Sequence, residues 1–299
     1  MMRTSCWACG ASESIPYKKR SIERPLVAND LRISDANYGC TLALSRCLRC
    51  GFVFADGADL QELTQLYEAL DDPGYEESQD SRALQMNWLL DAAAKAQPGL
   101  RSLLDVGAAS GLLVSLARKR GWEAVGVEPS QALVQAAASQ HAVELLQGSI
   151  PHPALAGRQF DAVFLVDVIE HVADPSLLLR NASQLLAPNG CLMVVTPDLG
   201  SVARKLLAER WWHFRLAHVG YFTRGSFERM AEGVGLRVVD CFRAKWFFRV
   251  SYLAERLTRY LPIKPLVRLL DSTAPGKLVA ERVVPLNLFD SWVFMCRKS

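Results

Sequence analysis

The chain has 299 residues, of which 50% are apolar, so it can bury the core of one catalytic domain with smaller attachments. Its net charge of +3 excludes a whole-molecule attraction to polyanions, and any basic surface must be local. No apolar run approaches the length of a membrane span, and the first residues lack the charged and apolar segments of a secretory signal. We therefore expect a cytoplasmic globular protein.

Residues 1–56 contain two Cys-x-x-Cys-Gly segments. Their thiols are those of Cys6, Cys9, Cys47 and Cys50. Four thiolates from two such segments are typical of a zinc ribbon, in which a closed tetrahedral Zn²⁺ site stabilises the fold. Two redox or free thiol pairs, and a rubredoxin-like iron site, are the alternatives. The other cysteines lack partners at metal spacing and are expected in the core: Cys40, Cys191, Cys241 and Cys296.

Residues 57–99 have helical periodicity in two stretches. Leucines recur at three-residue intervals from Leu60 to Leu66, and a second helix is predicted from Leu84 to Ala96. An Asp-Asp-Pro-Gly segment at 71–74 separates the two. We expect this region to form a small helical layer before the next domain.

From residue 100 onward, predicted strands and helices alternate. Strands are predicted at 101–106, 122–127, 142–147, 160–166, 190–196, 236–242 and 290–296. Helices are predicted at 110–120, 130–140, 175–187 and 223–232. The alternation predicts a doubly wound α/β domain over residues 100–299.

The first strand-turn-helix-strand unit of this domain has the features of a nucleoside site. Asp105, Gly107, Ala109 and Gly111 alternate with other residues across the turn, and Glu128 ends the next strand. Glycines at such a turn allow backbone amides to approach a ligand, and the acid can accept the ribose hydroxyls. The order differs from Gly-x-Gly-x-x-Gly, which argues against a dinucleotide.

This unit resembles motif I of the class I S-adenosylmethionine (SAM) methyltransferases, with Glu128 at the ribose-binding position. Residues 159–175 and 185–197 resemble the fourth and fifth strands of that family. The resemblance implies a Rossmann-like sheet of seven strands, the last antiparallel, with SAM as cofactor. It implies cofactor contacts from Asp105, Gly107, Ala108, Ala109, Gly111, Glu128, Pro129, Ser149, Asp167 and Val168.

Two of these positions depart from the family pattern. Ala109 stands where glycine is usual, and it should be tolerated there if its backbone angles are ordinary. Ser149 stands where an acid often contacts the adenine. The resemblance also implies that the helices of 57–99 lie over the cofactor, with Tyr67 and Tyr75 helping to close this lid.

His171 and His218 are the candidate general bases, because an imidazole titrates near neutral pH. A His171 that only bonds backbone is the structural alternative. His218 begins a His-x-x-Tyr-Phe-Thr segment that resembles zinc-ribbon methyltransferases of bacterial polysaccharide, lipid or secondary-metabolite biosynthesis. Asp167, Glu170 and His171 resemble a segment of the ubiquinone-pathway O-methyltransferases that is associated with a divalent metal. A catalytic divalent metal is the less favoured alternative here.

The segment 210–223 concentrates aromatic and imidazole side chains between the fifth and sixth strands. The candidate acceptor contacts are Trp211, Trp212, His213 and Tyr221. These side chains either grip an acceptor or pack a cap, and the sequence favours neither.

Residues 243–285 form an insertion before the last strand and combine Lys and Arg with aromatic residues. A cap with solvated arginines is the favoured interpretation. Contact with a membrane surface or an anionic acceptor is the alternative, and a nucleic-acid partner is disfavoured by the low net charge.

The sequence as a whole predicts SAM-dependent methyl transfer to a small-molecule acceptor, with oxygen of a sugar, a lipid-linked glycan or a related metabolite preferred. C- or N-methylation of a natural product would use the same cofactor residues. A non-catalytic zinc-ribbon module that binds nucleic acid or protein is the alternative from a different class. Peripheral contact of the cytoplasmic protein with the inner face of the membrane, through residues 243–285, is the alternative localisation.

Overall fold

A computed structural model describes residues 5–32, 38–55, 60–70, 79–258 and 260–299. The strands are β1 Ser14–Lys18, β2 Leu44–Cys47, β3 Val53–Ala55, β4 Ser102–Val106, β5 Glu123–Glu128, β6 Leu146–Gln147, β7 Phe160–Val166, β8 Leu186–Pro197, β9 Gly220–Tyr221, β10 Leu236–Arg243, β11 Trp246–Arg249, β12 Val283–Leu286 and β13 Ser291–Lys298. The helices are α1 Leu60–Glu68, α2 Gln79–Ala96, α3 Leu112–Lys119, α4 Gln131–His141, α5 Pro175–Gln184, α6 Val202–Leu207, α7 Arg224–Gly233, α8 Val250–Leu257, α9 Lys264–Ser272 and α10 Ala274–Ala280.

Seven strands form the main sheet in the order β10-β13-β8-β7-β4-β5-β6. The strands from β4 to β8 are parallel, and β13 lies antiparallel between β10 and β8. The central strands β7 and β8 are almost entirely buried, as expected where helices cover both faces of a parallel sheet. This sheet confirms the predicted Rossmann-like fold class, and it brings the carboxyl ends of β4, β5 and β7 to one edge.

Two predicted boundaries in this sheet were wrong. The strand predicted at 142–147 is only Leu146–Gln147, because Ala142 caps α4 in a left-handed conformation and the chain turns there. The strand predicted from 190 begins at Leu186, which pairs with Phe160. The Pro-Asn-Gly segment at 188–190 predicted a turn, but the strand passes through it with an irregular register.

A second sheet joins the N-terminal module to the main domain. Its order is β1-β2-β3-β9, and β9 comes from the segment after β8. Trp7 and Phe52 of the module pack in one aromatic cluster with Phe222, which follows β9. The predicted boundary between residues 56 and 57 lies outside the described residues, but the module and the main domain share a core.

The insertion at 243–285 forms a hairpin and three helices. Strands β11 and β12 pair antiparallel, and α8, α9 and α10 lie between them in sequence. Arg249 at the end of β11 contacts Asp80 of α2 at 2.8 Å, which fastens the insertion to that helix. Within the described part of the chain, none of the helices combines the length and apolar character needed to cross a bilayer.

Candidate active site

The turn after β4 has the close packing that its glycines predict. Gly107 and Gly111 both have φ of +75°, a conformation that glycine adopts without steric cost. A Cβ on Gly107 would lie 2.6 Å from Cγ2 of Val168, the predicted cofactor residue after β7. Both glycines are therefore required by the backbone, and Val168 packs directly on the turn.

The backbone angles of Ala109 are not ordinary, so the condition for tolerating alanine at this position is not met. Its φ is +48°, in the left-handed region where a Cβ costs about 1–2 kcal/mol. Its N–H donates to Oε2 of Glu128 at 2.8 Å, so the strained conformation aims a backbone donor at that carboxylate. This hydrogen bond and the tight turn fix the backbone regardless of the side chain.

Glu128 ends β5 beside the turn and is 2% exposed. Its Oε1 accepts from the backbone N–H of Ser130 at 2.9 Å. Burial raises the pKa of Glu128, and the N–H groups of Ser130 and Ala109 oppose that rise. A carboxylate has about four acceptor positions, so two remain for hydroxyl groups of a ligand. This donor and acceptor arrangement fits the ribose of a nucleoside cofactor.

A small cleft, with a volume of about 30 Å³, opens beside the turn. It is lined by Arg82, Met86, Asp105, Gly107, Ala108, Ala109, Ser110, Leu112, Leu113 and Val166. Burial and, secondarily, the charge of Glu128 raise the pKa of Asp105 to about 7, although Arg82 opposes the shift. The cleft therefore holds a carboxyl group that is easily neutralised or ionised near physiological pH.

Arg82 was missed by the sequence analysis. It lies on α2, which begins at Gln79 rather than at the predicted Leu84. Its charge favours the ionised forms of both Asp105 and Asp167. The only available signal was a cation two residues before a predicted helix, and nothing in the sequence pattern places that cation at the cleft.

Asp167 follows β7 with φ of +54°, which aspartate tolerates better than most residues. Burial raises its pKa to about 6, while the charges of Arg82 and His213 oppose the shift. Ser149, in contrast, is exposed and does not line the cleft. Pro129 is partly buried directly after Glu128.

His171 and His218 meet edge to face, with ring centroids 4.7 Å apart and an interplanar angle of 90°. The Nδ1 atom of His171 lies 2.9 Å from the carbonyl oxygen of Ala217, so it donates and leaves Nε2 as an acceptor. Burial lowers the pKa of His171 to about 4 and lowers that of His218 well below its usual range. Both imidazoles are consequently neutral at pH 7. The ring of Tyr67 on α1 meets that of His171 with centroids 5.9 Å apart, whereas Tyr75 lies outside the described residues.

Glu170 lies beside this histidine pair and is buried. Its Oε2 accepts from Oγ1 of Thr196 at 3.0 Å, while Oε1 has no partner among the described residues. Burial raises its pKa well above the usual range, which disfavours the ionised form of this carboxyl group.

The predicted metal ligands Asp167, Glu170 and His171 do not converge as a set. Glu170 and His171 instead form a group with His218, whose ligand atoms lie within 4.8 Å of one another. The Nδ1 atom of His218 has no partner in the described structure. These donors suit a divalent ion in type, but Glu170 must be in its ionised form to bind it.

The predicted acceptor contacts fall into two groups. Trp211 and Tyr221 are 0% and 1% exposed, so they are core residues rather than acceptor contacts, because their side chains have no free surface. Trp212 and His213 are partly buried and both contact Oδ2 of Asp290, at 2.9 and 3.1 Å.

Asp290 was also missed by the sequence analysis. It is buried, which alone would raise its pKa, but His213 and Trp212 hold that pKa below its usual value. Asp290 is therefore a buried carboxylate that orients two side chains of the acceptor segment. The sequence pattern marked it only as the start of the last strand.

The four cysteines of the N-terminal module converge as predicted. The Sγ atoms of Cys6 and Cys50 are 3.5 Å apart, and those of Cys9 and Cys47 are 3.6 Å apart. A tetrahedral site with Zn–S bonds of about 2.3 Å requires sulfur atoms about 3.8 Å apart. The sulfur cluster therefore fits a Zn²⁺ ion in both donor type and spacing.

Comparison with known proteins places this geometry in a wider context. A protein-family model described as "Methyltransferase domain" matches residues 75–240, which is more than half of the chain. A ubiquinone biosynthesis O-methyltransferase of Azorhizobium caulinodans is 40% identical over 104 residues, which cover 33% of this chain and 40% of that protein. Its counterpart in Bradyrhizobium diazoefficiens is 32% identical over 157 residues, covering 46% of this chain and 55% of that protein. The chain thus spans about half the length of these curated relatives.

A solved structure supports the fold. The plantazolicin methyltransferase BpumL, in complex with SAH, is 11% identical and aligns with a TM-score of 0.51 over 80% of this chain and 90% of its own. At this identity the likeness concerns the architecture of the sheet and helices alone.

Proposed function

The chain belongs to the methyltransferase-domain family, and on that premise we propose that it transfers the methyl group of SAM to a small-molecule acceptor. The observation that carries the proposal is the contact between the Glu128 carboxylate and the turn at 107–111. After accepting two backbone N–H groups, this carboxylate still has lone pairs for the hydroxyl groups of a cofactor. SAM supplies an activated methyl group. The protein must hold that cofactor and the acceptor in line, and must take up a proton where the acceptor is not already an anion.

We assign cofactor binding to residues at the carboxyl edge of the sheet. The carboxylate of Glu128 accepts from the ribose hydroxyls, and backbone groups of the turn approach the rest of the nucleoside. Asp105 and Arg82 place a carboxyl group and a cation on the cleft wall, which suits a zwitterionic amino-acid moiety. Ser149 is the weakest of the predicted contacts because its side chain is exposed to solvent.

We assign the proton-accepting role to the pair His171 and His218. Both are neutral at pH 7 and can accept a proton, but burial makes them weaker bases than a free imidazole. Nε2 of His171 is held as an acceptor by the hydrogen bond from Nδ1 to Ala217. Glu170 is a positioning residue: its backbone carbonyl accepts from Val219 N–H at 2.8 Å, next to His218. A divalent ion held by Glu170, His171 and His218 would polarise an acceptor oxygen, and this remains the less favoured alternative.

We propose a hydroxyl of a sugar, a lipid-linked glycan or a related metabolite as the acceptor group. The names of the two curated relatives support methyl transfer to oxygen. Trp212 and His213, fixed by Asp290, provide an aromatic and hydrogen-bonding wall of the kind that binds polyhydroxylated ligands.

We also propose that Cys6, Cys9, Cys47 and Cys50 hold a structural Zn²⁺ ion. The spacing of the sulfur atoms supports this assignment. Four protein ligands leave no open coordination position, so the ion would stabilise the module and take no part in the methyl transfer.

The proposal is tested by incubating the protein with methyl-labelled SAM and a panel of sugars, nucleotide sugars, polyprenol-linked glycans and catechols. We expect labelled product and release of S-adenosylhomocysteine (SAH) with one class. Replacing His171 or His218 by Gln should lower turnover by about 10²- to 10⁴-fold. The matched control is His152→Gln, at a partly buried histidine outside the pair.

Absence of transfer to every class, together with RNA or protein binding that persists in Gly107→Arg, would establish the non-catalytic module instead. Transfer to carbon or nitrogen would retain the cofactor assignment and overturn the choice of a hydroxyl.

A further inference from the structure

The insertion at 243–285 has a charge opposite to that of the rest of the chain. It contains nine Lys or Arg residues and three Asp or Glu residues, a net charge of +6 in 43 residues. Since the whole chain carries +3, the other 256 residues carry −3. The attraction to anions is thus concentrated in this one segment.

The same segment exposes apolar side chains. Among the described residues, fourteen large apolar side chains are exposed, and five of these belong to the insertion. They are Tyr252, Leu257, Leu261, Leu278 and Val279. The insertion is one seventh of the chain, so it holds more than twice the number of exposed apolar side chains expected from its length. Leu278 is 69% exposed and stands between exposed Lys277 and Val279 on α10.

The insertion adjoins the acceptor segment. The hydroxyl of Tyr260, in the connection between α8 and α9, donates to the carbonyl of Arg210 at 3.1 Å. The ring of Tyr260 also meets Trp212 edge to face at 6.4 Å. A surface bound by the insertion would therefore lie next to Trp212 and His213.

We propose that the insertion binds the surface of an anionic phospholipid bilayer and brings the acceptor segment against it. Lys277, Arg282, Lys264 and Arg268 are exposed and provide attraction to anionic headgroups. The exposed leucines and Val279 enter the boundary between headgroups and acyl chains. Aliphatic side chains suit lipid better than RNA, which is bound through stacking on aromatic rings.

One part of this proposal rests on the proposed function. If the chain methylates a glycan, a bilayer beside the acceptor segment favours a lipid-anchored glycan over a free sugar. The binding of lipid itself is independent of methyl transfer. The two claims can therefore fail separately.

The test is flotation of the full chain with phosphatidylcholine vesicles and with vesicles that also contain phosphatidylglycerol. We expect binding only to the anionic vesicles, weakened by salt. Lys277→Gln combined with Arg282→Gln should weaken binding by about tenfold or more. Leu278→Ser combined with Val279→Ser should also weaken it, because burial of apolar surface is lost.

The matched controls are Lys119→Gln with Arg229→Gln for charge, and Leu177→Ser for exposed apolar surface, all outside the insertion. SAH binding and the thermal transition are measured for each variant, so that misfolding is recognised. No binding to anionic vesicles, equal loss in the controls, or preferential binding of single-stranded RNA would overturn the proposal. Wild-type protein that binds SAH but not anionic vesicles refutes only the membrane surface, whereas wild-type protein that binds vesicles but not SAH refutes the proposed function alone.

Discussion

Ala109 is the residue at which the cofactor turn carries backbone strain. Its φ of +48° is one that glycine adopts more easily. Ala109→Gly should raise the free energy of unfolding by up to about 1 kcal/mol, since the relief of strain exceeds the added entropy of the unfolded chain. Chemical denaturation measures this change. Ala108→Gly, at a position without a positive φ, is the matched control and should lower stability. Equal destabilisation by both substitutions would contradict backbone strain at Ala109.

Asp105 is expected to make stability depend on pH in the direction opposite to most carboxylates. Its pKa is raised by burial and by Glu128 from 3.8 to about 7, so the folded chain binds this proton more tightly than the unfolded chain. The stability that neutral Asp105 contributes is present at low pH and is lost as the pH rises from about 4 to about 7. Asp105→Asn should therefore gain stability relative to wild type across this range, by an order of a few kcal/mol.

Urea unfolding of both proteins as a function of pH measures the difference. Asp161→Asn provides the comparison of opposite sign. Burial would raise the pKa of Asp161, but backbone N–H groups of Arg101 and Ser102 outweigh it and lower that pKa. Parallel stability curves for wild type and Asp105→Asn would contradict the raised pKa of Asp105.

At the scale of elements, the sequence predicted those helices and strands whose formation depends on residues close together in the chain. The β4-turn-α3-β5 unit was predicted because glycine spacing and alternating apolar residues act within about 25 residues. Strand β9 was missed because it has two residues and exists only through pairing with β3. The positions of Arg82 and Asp290 at the site were missed for the same reason: packing between distant elements brings them there, and no local pattern records it.

Strand β9 connects the N-terminal module to the histidine pair. Ala55 of β3 donates its N–H to the carbonyl of Val219 at 2.8 Å, directly after His218. Cys47→Ser should lose about one zinc per chain and lower the free energy of unfolding by several kcal/mol, because metal binding contributes to folding. It should also alter the environment of His218, observed in NMR spectra of the imidazole groups.

Cys40→Ser is the matched control, because Cys40 lies outside the sulfur cluster. It should retain zinc and the wild-type thermal transition. A chelator that leaves the thermal transition of the wild-type chain unchanged would refute the structural role of the metal.

At the scale of the whole molecule, the N-terminal module and the main domain form one core. Phe52 packs on Phe222 with ring centroids 4.8 Å apart, and β3 completes a sheet with β9. We expect a chain of residues 57–299 to lose its cooperative thermal transition, because removal of the module exposes this aromatic cluster to water. Calorimetry of the truncated and full chains tests this expectation. A truncated chain that unfolds cooperatively and binds SAH as the full chain does would show an independent main domain.

The measurement that tests the central claim most directly is isothermal titration of the zinc-replete protein with SAH, comparing wild type with Glu128→Ala and Glu123→Ala. Glu123 lies at the other end of β5 and forms a surface ion pair with Arg158, so it controls for the loss of a carboxylate from the same strand. We predict ~micromolar binding by wild type and Glu123→Ala, and binding weaker by at least about tenfold, or about 1.4 kcal/mol, for Glu128→Ala. Absence of binding by wild type, or equal affinity in a folded Glu128→Ala variant, would contradict the assignment of the cofactor site.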